Sequence, residues 1–265
     1  MALPSFTIVT PCLNGAETLQ LALDSVREQA YAGEVEHVVV DGGSTDGTLD
    51  ILEAAGVRYV SEPDRGLSDA VNKGIRMARG EVVGWLNADD VYLPGALARA
   101  GKAFAERGEA LWVTGPCLIM GADGEEIRPA VTRYKNFFLR RWSYPLHLVQ
   151  NFVSCPSTFV RREAFDRVGL LDERFKYSMD YDLWLRLGRL QPPVVLNSPL
   201  AAFRMAEGSL SMTGFERQFA EHAQNAREHG DGHRIAVGLN RITSRLIVAI
   251  YRDMRAVRTR ADGSR

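Results

Sequence analysis

Polar residues, many of them acidic, stand where four hydrophobic runs of this chain end. Thr10-Pro11-Cys12-Leu13-Asn14 closes the first run and Asp41-Gly42-Gly43-Ser44-Thr45-Asp46 the second. Glu62-Pro63-Asp64-Arg65-Gly66-Leu67-Ser68-Asp69, with Asn72 and Lys73 close behind, follows the third, and Asn87-Ala88-Asp89-Asp90 the fourth. If these ends share one rim, Asp41, Asp69, Asp89 and Asp90 meet in one pocket. Like charges within about 4–6 Å oppose one another's ionisation, so something positive belongs among them. A hard divalent cation, Mn2+ or Mg2+, carrying phosphate oxygens suits such ligands. Asp89-Asp90 reads as a metal site rather than a helix cap, because Pro94 can open the next helix without two acids. Asp41, directly after Val38-Val39-Val40, reads as an acceptor for a base or ribose group. Ser44, Thr45 and Asp46 read as turn formers and caps.

The elements that must carry these residues follow from periodicity. Phe6–Thr10 is a β-branched run that stops at Pro11, and Leu19, Ala22, Leu23 and Val26 recur on one helical face. Strand patterns at 35–40, 57–60, 82–86 and 111–114 alternate with helical patterns at 49–55, 70–78 and 94–107. Short connections between alternating strands and helices predict an α/β fold, with a mostly parallel central sheet covered on both faces. Ligands of such sheets gather at the carboxyl ends of the strands. No G-x-G-x-x-G follows the first strand and no Walker A sequence occurs, so a metal handles phosphate better than a glycine-rich loop would. Beyond 115 the pattern is mixed, with a hairpin signal at Asp123-Gly124, and from about 216 it is helical.

Composition narrows the class. The chain has 265 residues, 46% hydrophobic and 25% charged, with a formal charge of -1, which excludes a disordered tail and gives no argument for a nucleic-acid partner. Cys12, Cys117 and Cys155 lack metal-ligand spacing and fit a reducing compartment. The first residues are not a secretion signal and no apolar run approaches the roughly 20 residues of a bilayer span. The expected location is cytoplasmic.

The series Thr10-Pro11-x-x-Asn14, Asp41-Gly42-x-Ser44-x-Asp46, Asp64-x-Gly66-x-x-Asp69-Ala70-x-Asn72-Lys73-Gly74, Leu86-Asn87-Ala88-Asp89-Asp90 and Met179-Asp180-Tyr181-Asp182-Leu183-Trp184 resembles the family 2 glycosyltransferases, inverting enzymes of GT-A fold. Five motifs in the family's order span about residues 5–212. The resemblance implies a catalytic domain over 1–215, with a nucleotide-sugar half to about 115 and an acceptor half over 116–215. It implies donor contacts from Thr10, Pro11, Asn14, Asp41, Asp69, Lys73, Asn87 and Asp89, and a D-x-D-type metal site at Asp89 and Asp90. It also implies a general base in the Asp180–Asp182 segment. On a helix Asp180 and Asp182 point about 200° apart, so only one can face a pocket. Asp180 is the expected base, with Asp182 its structural partner or fallback. Two departures stand out: Asn87 occupies the first acid position, as a neutral ligand or ribose contact, and Ala206 stands where a histidine is common. Arg204 could compensate as a donor to the diphosphate.

Tyr134–Tyr144 mixes aromatic and basic residues, which suits either an acceptor cleft or core. Residues 234–265 carry eight Arg against two Asp. On a helical wheel Leu239, Ile242, Leu246, Ile250 and Val257 gather opposite Arg234, Arg241, Arg245 and Arg252. That pattern over 234–258 fits a helix on an anionic membrane surface, hence attachment to the inner face of the cell membrane, or a helix packed on protein. The expected activity is transfer from a nucleotide-sugar, a UDP-sugar first, to a saccharide or polyprenyl-linked acceptor. Competing readings are a nucleotidyltransferase, which lacks its basic glycine-rich loop here, and a non-catalytic scaffold.

Overall fold

The computed structural model describes residues 2–205 and 214–262, with side chains to residue 252. Ala206 and the segment to Ser211 lie outside the described residues, as do the side chains of Val257, Arg255 and Arg258. Among the described residues ten strands and ten α-helices follow one another. The strands are β1 (Phe6–Cys12), β2 (Val35–Asp41), β3 (Arg58–Ser61), β4 (Val82–Trp85), β5 (Val91–Tyr92), β6 (Trp112–Thr114), β7 (Cys117–Met120), β8 (Thr158–Arg161), β9 (Val194–Val195) and β10 (Ala201–Arg204). The helices are α1 (Leu19–Arg27), α2 (Thr48–Ala55), α3 (Leu67–Met77), α4 (Ala96–Glu106), α5 (Pro129–Leu139), α6 (Tyr144–Val149), α7 (Arg162–Val168), α8 (Met179–Leu190), α9 (Phe215–Glu228) and α10 (Arg234–Asp262).

The main sheet has the order β3-β2-β1-β4-β8-β6-β9, and only β8 runs against its neighbours. A small sheet, β5-β10-β7, lies beside it. Period-two alternation sorts the strand side chains between two layers. Phe6 and Ile8 of β1, Val82 of β4 and Phe159 of β8 pack with α1 and α4 on one face. Val9, Val83 and Val160 pack with α3, α7 and α8 on the other, where Trp112 stacks on Trp184 at 5.8 Å. Each such Val or Leu contributes about 1.5–3 kcal/mol by burial. Gly74 lets α3 lie close on β1, since a Cβ there would come within 2.2 Å of Val9 Cγ1.

β1 does not stop at Pro11 but continues to Cys12, in register with Asp41. Pairing of β1 with β4 ends at Val9, with Leu86 N–H donating to the Val9 carbonyl. Alternation then turns the nitrogen of residue 11 to the side that β4 has already left, so proline removes no ladder bond.

α9 and α10 pack back onto α8 and α6. The inward face of α10 is Ala236, Asn240 and Ser244. The helix packs on protein through these small and polar residues, and its Leu239–Ile250 side is exposed.

Candidate functional site

Two loops are knitted together at the carboxyl ends of β1 and β2. The buried Asp41 carboxylate accepts from Gly43 N and Ser44 N at 3.0 Å each and from Ser61 Oγ at 2.6 Å, and Ser44 Oγ donates to its other oxygen. Burial alone would raise its pKa; these donors outweigh it and hold the carboxyl below its ordinary range. With these donors around it, Asp41 shapes the Gly42–Ser44 backbone and ties it to Ser61. Asn14, at φ 50°, completes the link: its Oδ1 accepts from Thr45 N at 2.9 Å and its N–H donates to Ser44 Oγ at 2.7 Å. Asp46 ties Ala16 N and Thr48 N in the same place, as a turn former should. Thr10 is buried with its hydroxyl 2.9 Å from His37 Nε2, so it and Pro11 supply strand backbone rather than pocket side chains.

The acids expected to crowd one ion take separate tasks. Asp69 accepts from Arg65 N at 3.1 Å and pairs with the Arg65 guanidinium at 2.9 Å. Lys73 pairs with Glu62 at 2.8 Å and lies 3.7 Å from Asp69. Asn72 clasps the Leu171 backbone with both ends of its amide. Among the described residues no three His, Cys, Asp or Glu side chains gather closely enough to hold a metal ion.

In the turn after β4 the two neighbouring acids part. Asp90 is fully buried and accepts from Arg204 N at 2.9 Å and Asn87 Nδ2 at 3.0 Å. Burial holds its carboxyl well above the ordinary range, and Asp89 adds to this. Through these bonds Asp90 fastens the turn to β10. Asn87 spans Trp85 Nε1 and Asp90, so its amide is structural too. Arg204 Nε donates to the Asp89 carbonyl and its Nη1 to those of Gly121 and Ala122, which ties β10 to both turns. Asp89 remains half-exposed, its carboxyl raised by burial. One hard oxygen ligand fits Mg2+ or Mn2+, which take one or two carboxylates and complete their shells with water and phosphate.

α8 sets the second acidic pair, and helical rotation separates its members. Asp182 is buried, with Arg186 Nη2 at 2.7 Å on one oxygen and His229 Nε2 at 2.7 Å on the other. Burial is outweighed by His229 and Arg186, which hold its pKa below the ordinary value. So engaged, it has no oxygen to serve as the fallback base. Asp180 opens the other way, half-exposed, with Asn151 Nδ2 at 3.3 Å and Tyr181 N at 2.7 Å. Burial raises its pKa, and Lys135, fixed to Ser154 Oγ at 2.8 Å, opposes the rise. Cys155 sits between the two acid sites: its sulfhydryl points to the Trp85 carbonyl, and after burial the fields of Asp180 and Asp90 push its thiol up most. The Asp89–Asp90 turn and Asp180 therefore both come near Cys155.

The sequence reading missed the support behind Asp180. Glu221 of α9 accepts from Lys176 N at 3.1 Å, Tyr177 N at 2.8 Å, Ser178 N at 3.0 Å and Ser178 Oγ at 3.2 Å. Asn225 donates to the Ser178 carbonyl, and His229 holds Asp182. One helix thus fixes the entry to α8, at residues more than forty positions away. The aromatic-basic segment divides. Leu139, Phe138 and Trp142 join the core, whereas Tyr134 and Phe137 are exposed and Arg141 lies 3.9 Å over the Phe137 ring.

The family model described as glycosyl transferase family 2 matches residues 7–169. A glycosyltransferase of PGL/p-HBAD biosynthesis from Mycobacterium bovis is 32% identical over 197 residues, 70% of each chain. An uncharacterized glycosyltransferase of Mycobacterium tuberculosis is 29% identical over 87% of this chain and 85% of its own. Among solved structures, the mannosyltransferase PcManGT from Pyrobaculum calidifontis with GDP-Man and Mn2+ has TM-score 0.68 at 19% identity, covering 98% of this chain and 81% of that one. S. aureus TarS 1–349 with UDP-GlcNAc has TM-score 0.62 at 20% identity, over 83% of this chain and 66% of that fragment. The chain spans 39% of a longer TarS chain. At these identities the likeness to the solved structures establishes the fold.

Proposed function

The chain belongs to glycosyl transferase family 2 and is a glycosyltransferase of GT-A fold, and on that premise we propose that it transfers a sugar from a nucleotide-sugar to a hydroxyl of a saccharide or polyprenyl-linked acceptor, with inversion. The observation that supports this is that the Asp89–Asp90 turn and Asp180, from distant segments, both come near Cys155, with Asp180 held by Asn151. Residues 1–215 form the catalytic domain in this reading and 216–265 its helical support. PcManGT binds GDP-Man with Mn2+ and TarS binds UDP-GlcNAc, which supports a nucleoside diphosphate-sugar as donor. Assembly of a surface polysaccharide or glycolipid is supported by the M. bovis relative, whose name places it in PGL biosynthesis.

The loops organised by Asp41, Asn14 and Asp46 cradle the nucleoside through their backbone. Asp89 would hold Mn2+ or Mg2+, which when bound offsets the charge of the departing diphosphate. Asp180 takes the proton from the acceptor hydroxyl as that oxygen bonds to the anomeric carbon and the bond from that carbon to the diphosphate breaks. The proton ends on Asp180 and the electron pair on the diphosphate. A base with a raised pKa holds the proton better, and one placed rigidly at a helix start needs no reorganisation. No covalent intermediate is called for.

Thermal stabilisation by UDP- and GDP-sugars with Mn2+ tests the donor side. A ligand at 100 times its Kd adds about 2.7 kcal/mol, so a rise of roughly 5–10 °C is expected. Asp89→Asn should lose the metal-dependent part, whereas Asp180→Asn should keep donor binding and lose transfer by about 100-fold or more. Transfer by Asp180→Asn within tenfold of the wild type would remove Asp180 as base.

A further inference from the structure

The outer face of α10 gathers five exposed large apolar side chains on one helix. Ile235, Leu239, Ile242, Leu246 and Ile250 are 82%, 46%, 56%, 58% and 56% exposed, and they follow one another at spacings of four, three, four and four residues. At 100° per residue they form a stripe about 80° wide and, at 1.5 Å per residue, about 23 Å long. Arg234, Arg241 and Arg245, all exposed, run along one border of that stripe. From Arg234 to Arg252 the helix contains no acidic residue. Packing does not account for the stripe, because Ala236, Asn240 and Ser244 hold the helix to the body: Asn240 Nδ2 donates to the Val149 carbonyl at 3.1 Å.

We propose that this face of α10 is a docking surface for an anionic lipid bilayer, its apolar stripe lying at the level of the acyl chains and its arginines among the headgroup phosphates. Charge selects the occupant. A second copy of the chain seated stripe to stripe would bring like-charged guanidiniums together, whereas an anionic lipid surface complements them. The period also favours a flat apolar phase: a heptad seam would continue from Leu246 to Ala249 and Asp253, a small and a charged residue where a coiled coil needs knobs. No helix among the described residues is long and apolar enough to cross a membrane, so the association is lateral.

The surface also leads inward. At its start, Pro145, Leu146, Val149, Ile235, Ala236 and Leu239 line an open apolar cavity of about 660 Å3. α6, which forms one wall, ends two residues before Asn151, the donor to Asp180. A chain resting on lipid through α10 turns this cavity toward the bilayer.

Flotation of the full chain with phosphatidylcholine vesicles, and with vesicles of phosphatidylcholine and phosphatidylglycerol at three to one, tests the proposal without donor or acceptor. It can therefore fail while glycosyl transfer stands, and the reverse. Binding to the anionic vesicles and weakening in high salt are expected. Arg241→Gln with Arg245→Gln should weaken it roughly thirtyfold, at about fivefold per arginine. Leu239→Gln with Leu246→Gln should cost about tenfold per leucine or more. All four side chains are exposed, so the melting temperatures should stay within about 2 °C of the wild type, which separates lost docking from lost fold. Absence of wild-type flotation with anionic vesicles overturns the proposal. So does a dimer in light scattering that the leucine pair converts to monomer.

Discussion

Replacing Glu221 tests whether α9 positions the base or merely covers the domain. Its carboxylate collects three main-chain N–H groups and one hydroxyl from residues 176–178, the turn that launches α8. Hydrogen bonds to a charged acceptor are worth about 1.5–3 kcal/mol each, but this side chain is only partly buried and water can replace some of them. Glu221→Ala should therefore cost about 2–4 kcal/mol in all, a fall of roughly 5–15 °C in Tm for a chain of this size. The start of α8 would then keep Gln218, Asn225 and His229 as its ties to this part of the chain. Displacement of a reacting group by about 1 Å can cost 100-fold, so kcat should fall about 10- to 100-fold while donor affinity, set by the β1, β2 and β4 loops, stays unchanged. Glu221→Gln keeps one oxygen for the three donors on Oε2 and turns its amide against a single N–H, so it should lose only about 1–2 kcal/mol and a few-fold in rate. Steady-state kinetics and calorimetry on both variants decide. If Glu221→Ala lowers Tm yet leaves kcat within twofold, α9 stabilises the domain without positioning Asp180.

Asp180 must be ionised to accept a proton, and burial raises its pKa, so the acid limb of kcat/KM should lie above the ordinary carboxylate range. Lys135→Met removes the nearby cation that opposes this rise, and the limb should move to higher pH; a limb that stays still would separate Lys135 from the base. Asp182 has the opposite sign. Its pKa is depressed in the folded chain, so its contribution to stability is complete above the unfolded carboxylate pKa and is lost as pH falls through the lower native value. Asp182→Asn should cost about 3 kcal/mol at neutral pH, the lower end for breaking a buried pair, because Arg186 keeps the carbonyls of Val168, Gly169 and Leu170. Calorimetry should show a Tm fall of roughly 6–12 °C, shrinking toward acid pH; a fall below 2 °C would contradict the buried pairing.

What the sequence made legible follows the range of the forces involved. Local periodicity placed the strands and helices to about residue 114, and the 100° turn per residue separated Asp180 from Asp182 before any coordinates. The turn reading of Ser44 and Asp46 came from short-range hydrogen-bond chemistry. The hydrogen-bond partners of Asp41 and Asp90 were not legible, because a carboxylate at a strand end looks the same whether it faces a ligand or its own loop. Only the partners distinguish the two cases, and Asp90 finds Arg204 114 residues away. The tasks of Arg204, Glu221 and His229 leave no mark in a linear text; each acquires its role from a segment that folding brings alongside.

α10 makes the same point about surfaces. Periodicity established which residues share its apolar side but not which side the body would claim. That choice depends on contact shape: Ala236 and Ser244 are small enough to lie against α6 and α9, and Asn240 can satisfy the Val149 carbonyl. Burying the leucines there would have left the Asn amide facing solvent and the carbonyl without that donor. The body thus takes the close-packing face and leaves the bulky apolar one outward. Because a stripe of five large side chains held in water has no stabilising role in the fold, its retention beside arginines is itself the argument that it meets something else.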